Sequence, residues 1–268
     1  PPDRRPDDVP DRSFPDLGDP RIDVLTEAVV LDARSGRTEI RGRATLVLRP
    51  VGRQPLASFT LDLRGPKVSK LLVDGRPATV RATDAELTIT PRTPLRPGRR
   101  ATVAITYAGI PDQTVFPVLG APVGWQADDS GGWFTMSEPN GTSTWAPTND
   151  HPSDKAVWSL TVDAGPKDTV VSNGELVSHA RLGDGSRWVW REREPMAAYL
   201  LLVAVGRYDL IRRTLADGTR ILAAVPPDLS ADDRAGFDEI DDIVEFFSQR
   251  FGGRADDDAG AILVDKDL

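Results

Sequence analysis

Between residues 22 and 208 apolar side chains recur at every second position. Ala44, Leu46 and Leu48, then Phe59, Leu61 and Leu63, then Val103, Ile105 and Tyr107, each form the one-sided set that a half-buried strand presents to a core. Hairpin signals punctuate these runs at Ser35-Gly36, Asp74-Gly75, Pro97-Gly98, Asn173-Gly174 and Asp184-Gly185. Gly or Asn there supplies the positive φ that tight turns need. Many short strands at regular spacing predict a mainly β chain built as a large antiparallel sandwich or saddle-shaped sheet. The period changes only near the C-terminal end. Phe237, Ile240, Val244, Phe247 and Phe251 recur at intervals of three and four, which predicts one helix over 230–251. Ser230 is a capping residue, Asp232 and Asp233 suit the positive end of the helix dipole, and Gly252-Gly253 stops the run. A short apolar strand over 259–264 follows.

That helix and strand carry apolar surface for which the remaining sequence supplies no partner. The shift near residue 210 therefore divides the chain into an extended tail at 1–17, a β domain at 18–210 and the start of a second, α+β domain at 211–268, left incomplete. The tail, rich in Pro and Asp, has too little apolar surface to fold. The whole chain of 268 residues is long enough for a sizeable core. A formal net charge of −8 excludes nucleic acid as a partner, because phosphate binding needs clustered Lys and Arg. An acidic surface suits a cationic group such as a peptide amine. With no Cys there is no disulfide, thiolate nucleophile or Cys-based metal site. No run approaches the length of a membrane helix, and no basic and apolar leader opens the chain. A mature exported protein and a trimmed one fit this beginning equally, so secreted and cytoplasmic locations both stay open.

The run from Glu138 through Trp145-Ala-Pro-Thr-Asn-Asp150-His-Pro-Ser-Asp-Lys155-Ala156 resembles the segment that leads into the catalytic domain of zinc aminopeptidases of the aminopeptidase N family. Twelve positions separate Glu138 from Asp150, as in that family's pattern. Val170-Val171-Ser172-Asn173-Gly174, Pro195-Met196-Ala197-Ala198-Tyr199-Leu200 and Val205-Gly206-Arg207-Tyr208 resemble three further family segments in the same order. Stretches at 23–31, 42–48, 59–63 and 73–77 fit its opening strands, so the likeness covers residues 18–268. It implies an N-terminal β domain followed by the opening of a thermolysin-like catalytic domain, cut before the zinc motif. The implied parent enzyme is a zinc metallo-aminopeptidase acting on the free N-terminus of peptides. The zinc and the rest of the catalytic domain lie outside this chain, which by itself is expected to be inactive and to bind no metal.

The same likeness implies that Glu138 binds the substrate's α-amino group and that Met136 lines the neighbouring side-chain pocket. A desolvated carboxylate facing an ammonium is far stronger than the same pair in water. Three departures stand out. Thr142-Ser143-Thr144 replaces an Arg pair, His151 replaces an acid, and Met136 stands where many members carry Gln. These bear on substrate preference and leave the fold expectation intact.

Other residues have plainer readings. His151 and His179 sit in different segments with no His-Glu-x-x-His, so His151 is expected to be a turn residue. Asp150 and Lys155 are expected to be structural, the first through a bond to backbone two residues on and the second through an ion pair with a neighbouring acid. Trp125, Trp133, Trp145 and Phe134 are expected in the core and not in a carbohydrate platform. Asp256-Asp257-Asp258 lacks the alternating ligands of a calcium loop. The rival reading is a free-standing β-sandwich binding module of aminopeptidase ancestry. It requires that no apolar surface be exposed around 237–251.

Overall fold

The computed structural model describes residues 17–116, 120–252, 258–264 and 266. The expected tail, up to residue 16, and the acids Asp256 and Asp257 lie outside the described residues. The chain is mainly β. Its largest layer is an eight-stranded sheet in the order Glu175–Leu182, Gly185–Ala197, Lys155–Ala164, Ile22–Asp32, Ile40–Pro50, Ala101–Gly109, Lys67–Val73, Arg76–Pro77. The alternation seen in the sequence sets its faces. Ala44, Leu46, Leu48, Val103, Ile105 and Tyr107 are buried, while Arg41, Arg43 and Thr102 between them face solvent.

One pair in this sheet is parallel. The strand Ile22–Asp32 lies along Lys155–Ala164 with Glu27 opposite Trp158 and Leu31 opposite Val162. Parallel neighbours cannot be joined by a hairpin, so the long stretch between them must leave the sheet and return. That stretch supplies four more strands of the large sheet and the whole of one further sheet, and strands from before and after Lys155–Ala164 combine in another. A three-stranded one runs Phe59–Asp62, Glu86–Thr90, Thr79–Ala82. A five-stranded one runs Thr169–Ser172, Val203–Gly206, Trp133–Met136, Ala121–Ala127, Gln113–Phe116. Phe59, Leu61, Phe134, Trp125 and Trp133 from these layers join the buried face of the large sheet in one core. Trp125 and Trp133 stack at 3.7 Å, and Trp145 lies 6.4 Å from Trp125. All three are buried, as expected of core aromatics.

Two local expectations change. Residues 73–77 are a hairpin, with Asp74 at φ 49° and Gly75 at φ 73° reversing the chain between Lys67–Val73 and Arg76–Pro77. The turns at Pro97-Gly98 and Asn173-Gly174 carry the chain from one sheet to another and close no hairpin. Turn chemistry is the same in both uses, so the sequence alone does not separate them.

Beyond residue 208 a third small sheet pairs Asp209–Thr214 with Arg220–Val225, and Asp258–Ile262 joins it in parallel. The expected single helix is two, Ala231–Asp238 and Ile240–Phe251, divided at Glu239. On the second helix Val244 is buried and Ile240 half-buried, yet Ile243, Phe246, Phe247 and Phe251 are 46%, 52%, 53% and 80% exposed. An apolar face of this size is left uncovered by the described residues.

Candidate functional site

The strand Trp133–Met136 is held on both sides, with Met136 opposite Gly124 and Phe134 opposite Ala204. It ends at Ser137, whose hydroxyl donates to the Leu201 carbonyl at 2.9 Å. Glu138 follows, exposed, joined to Pro139 by a cis peptide. Among the described residues Glu138 has no hydrogen bond or ion pair. Met136 is half-buried and packs against the core, which leaves part of its side chain for a neighbouring pocket.

The chain then turns sharply. Gly141 N–H donates to Ser137 O at 2.7 Å, opening the 3-10 turn Thr142–Thr144. A Cβ on Gly141 would collide with the Met136 carbonyl, and one on Gly124 (φ 100°) would collide with the Thr144 hydroxyl. Both glycines are therefore fixed by close approach of the turn to the strand. The three hydroxyls that replace the family's Arg pair point inward and bond to backbone. Thr142 donates to Ala198 O at 2.7 Å, Ser143 to Asn140 O at 2.7 Å and Thr144 to Gly141 O at 2.7 Å. The Ser143 carbonyl accepts from Arg64 N–H at 2.8 Å and that of Thr144 from Asp112 N–H at 3.1 Å. The turn below Glu138 is thus tied to three other parts of the domain, at Arg64, Asp112 and Ala198.

Asp150 is structural, by a longer reach than expected. It accepts from Ser143 N–H at 3.1 Å, seven residues back, and its own N–H donates to Asp62 Oδ2 at 2.9 Å. His151 accepts from Ser153 N–H through Nδ1 at 3.1 Å and is a buried turn residue. Lys155 is exposed, and the expected ion pair is not found among the described residues. His179 stacks on Trp188 at 3.7 Å, far in sequence from His151. No three His, Asp or Glu side chains stand together as a metal site among the described residues, so this set does not fit a zinc ion.

One group was missed from sequence. Glu27, Asp62 and Asp150 are buried acids around Thr148, whose hydroxyl donates to Glu27 Oε2 at 3.1 Å. For Glu27 the signal was present, since it shares the inward alternation of Val29 and Leu31.

A family model described as the peptidase M1 N-terminal domain matches residues 31–200. The chain belongs to this family. Solved M1 structures share the fold of this M1 domain over almost its whole length. A two-domain M1 zinc metallopeptidase variant bound to L-arginine superposes with a TM-score of 0.86 at 26% identity, over 95% of this chain and 59% of that one. The M1 zinc metallopeptidase of Deinococcus radiodurans gives 0.84 at 26% identity, over 95% and 59%. A variant of the enzyme from that organism, bound to a Tyr-Ser-Ala substrate, gives 0.85 at 26% identity, again over 95% and 59%. Among curated proteins, probable aminopeptidase 2 of Sulfurisphaera tokodaii is 29% identical over 106 residues, 40% of this chain and 13% of that protein. Probable M1 family aminopeptidase 1 of Encephalitozoon cuniculi is 29% identical over 122 residues, 45% and 14% respectively. The M1 chain thus spans about three fifths of the solved relatives and matches a far smaller share of the curated ones.

Proposed function

We propose that this chain is the N-terminal portion of a zinc aminopeptidase that removes residues from the free N-terminus of peptides, and that Glu138 binds the substrate's α-ammonium. The observation that carries the reading is an exposed carboxylate with no partner among the described residues, beside a turn bonded to Arg64, Asp112 and Ala198. A carboxylate that spends nothing on internal bonds is available to a ligand cation, and a rigid mount lowers the cost of ordering it. Met136 would line the adjacent pocket with the exposed part of its side chain. Residues outside the chain would hold the zinc, which supplies Lewis-acid activation of water when bound.

The division at about residue 210 belongs to the same proposal. The helix Ile240–Phe251 and the small sheet beside it open the catalytic domain, and the rest of that domain covers Phe246, Phe247 and Phe251. Those exposed rings weigh against the free-standing binding module. Among the described residues no helix is long and apolar enough to cross a membrane.

The test uses the enzyme that carries this chain and an aminoacyl anilide. Hydrolysis should be chelator-sensitive, and Glu138→Gln should lower kcat/KM by on the order of 100-fold, mostly through KM, since the amine is held in ground and transition states alike. The 268-residue chain alone should not hydrolyse the anilide. An unchanged kcat/KM in Glu138→Gln sinks the amine-binding role. Chelator-sensitive turnover by the isolated chain sinks the account of it as a portion.

A further inference from the structure

Thr148 joins three acids from separate parts of the chain in one buried cluster. Its backbone pairs with Asp62 in both directions, Asp62 N–H to Thr148 O at 2.8 Å and Thr148 N–H to Asp62 O at 3.1 Å. Its hydroxyl reaches Glu27, and two residues on Asp150 N–H reaches Asp62 Oδ2. Glu27 and Asp150 are 1% exposed and Asp62 6%. Glu27 Oε1 and Asp150 Oδ1 have no hydrogen-bond partner among the described residues. No Lys or Arg stands within ion-pair distance of the three carboxyls there, in contrast to Asp19, met by Arg21 at 2.7 Å, and Asp23, met by Arg49 at 2.7 Å.

The charges that surround the pocket are mostly of the wrong sign to relieve it. Asp154 acts on Glu27, and Glu86 on Asp62, while Glu27 in turn acts on the buried hydroxyl of Tyr107. Arg64 acts on Asp62 and Asp150 from beyond ion-pair range, and His151, next in the chain, is engaged by Ser153. Buried carboxylates without a cation repel one another and lack solvation, so the pocket keeps protons that exposed acids would release.

We propose that Glu27, Asp62 and Asp150 form a proton-operated latch: the segment 142–154 stays seated on the strand Phe59–Asp62 while the pocket holds a proton, and loosens when the last is lost. Burial pushes Asp150 up to about 7, with the charge of Asp62 adding to it. Burial likewise raises Asp62 to about 6, and holds Glu27 well above the usual carboxylate range. Folding raises all three, so the folded chain binds protons that the unfolded chain has released. For Asp62 and Asp150 this contribution to stability is complete below about pH 4 and is lost as pH rises through about 6 and about 7, by about tenfold in the folding constant per pH unit for each proton, and Glu27 acts in the same direction. Asp62 and Asp150 share one pocket, so the pair titrates in steps that belong to both. The latch does not rest on the role of Glu138, although the segment it holds carries that residue's turn.

The test is urea unfolding of the 268-residue chain from about pH 5 to about pH 8, with amide exchange followed at Ser143 and Asp150. The folding constant should fall at least tenfold over that span, and both amides should lose protection at the upper end. Asp150→Asn keeps an acceptor for Ser143 N–H and removes an ionisable group, so the fall should be shallower and protection retained. If that variant does not fold, Glu27→Gln takes its place, and carboxyl-carbon NMR titration of Asp62 and Asp150 in the unaltered chain decides. Midpoints near the ordinary value of about 4, a pH-independent folding constant, or equal slopes in variant and parent overturn the latch.

Discussion

Thr142 shows how a residue that looks like a specificity change can be a structural one. Its hydroxyl is fully buried and spends its proton on the Ala198 carbonyl, so it cannot reach a substrate pocket. Thr142→Val keeps the shape and strands that carbonyl, at a cost of about 1–2 kcal/mol, visible as a lower urea midpoint. Glu138 is the opposite case, a residue whose loss should leave the midpoint unmoved because none of the described residues bonds to its side chain. How far such roles could be read from sequence varies by residue. Glu27 was legible in principle, because period-two alternation puts it beside Val29 and Leu31 on the inward face. Asp62 was not, because it is buried by the returning segment at Thr148, and no local pattern announces a contact across 86 positions of chain.

At the scale of elements, strand alternation holds in Ile40–Pro50 and Ala101–Gly109, which have one face in the core and one towards water, whereas Val203–Gly206 is buried throughout and Glu175–Leu182 has no buried residue. Ala44, Leu46 and Leu48 took the buried face as their spacing required. What the pattern left open was which strand neighbours which. The parallel pairing of Ile22–Asp32 with Lys155–Ala164 is non-local and leaves no mark on either segment. The helical stripe was legible and its outcome differs along its length. Val244 finds the core side, whereas Phe247 and Phe251 remain in water. Phe247→Ser with Phe251→Ser should therefore lower binding of an apolar dye by the 268-residue chain while shifting its stability by less than about 0.5 kcal/mol. A large loss of stability would mean that the face is already covered from within.

For the whole molecule, the sheets up to residue 206 cover their apolar faces, while the helix Ile240–Phe251 leaves one exposed. The first three sheets share one continuous core that includes Trp125, Trp133 and Trp145, and Ala224 of the last sheet joins it. The last sheet and its helices end in exposed rings, which the proposed catalytic domain would cover. The resemblance carried by Glu138, Trp145 and Asp150 named the family that the family model then matched over residues 31–200. The candidate site was legible only through that resemblance, since an exposed Glu at a strand end has no physical signature of its own. The measurement that bears most directly on the account is the intact mass, with peptide mapping, of the protein purified from its native source. The account predicts a mass far above the 29.1 kDa of this chain, with peptides that continue past Leu268 and carry a zinc motif. A mass of 29.1 kDa, with Leu268 as the last residue, would contradict it.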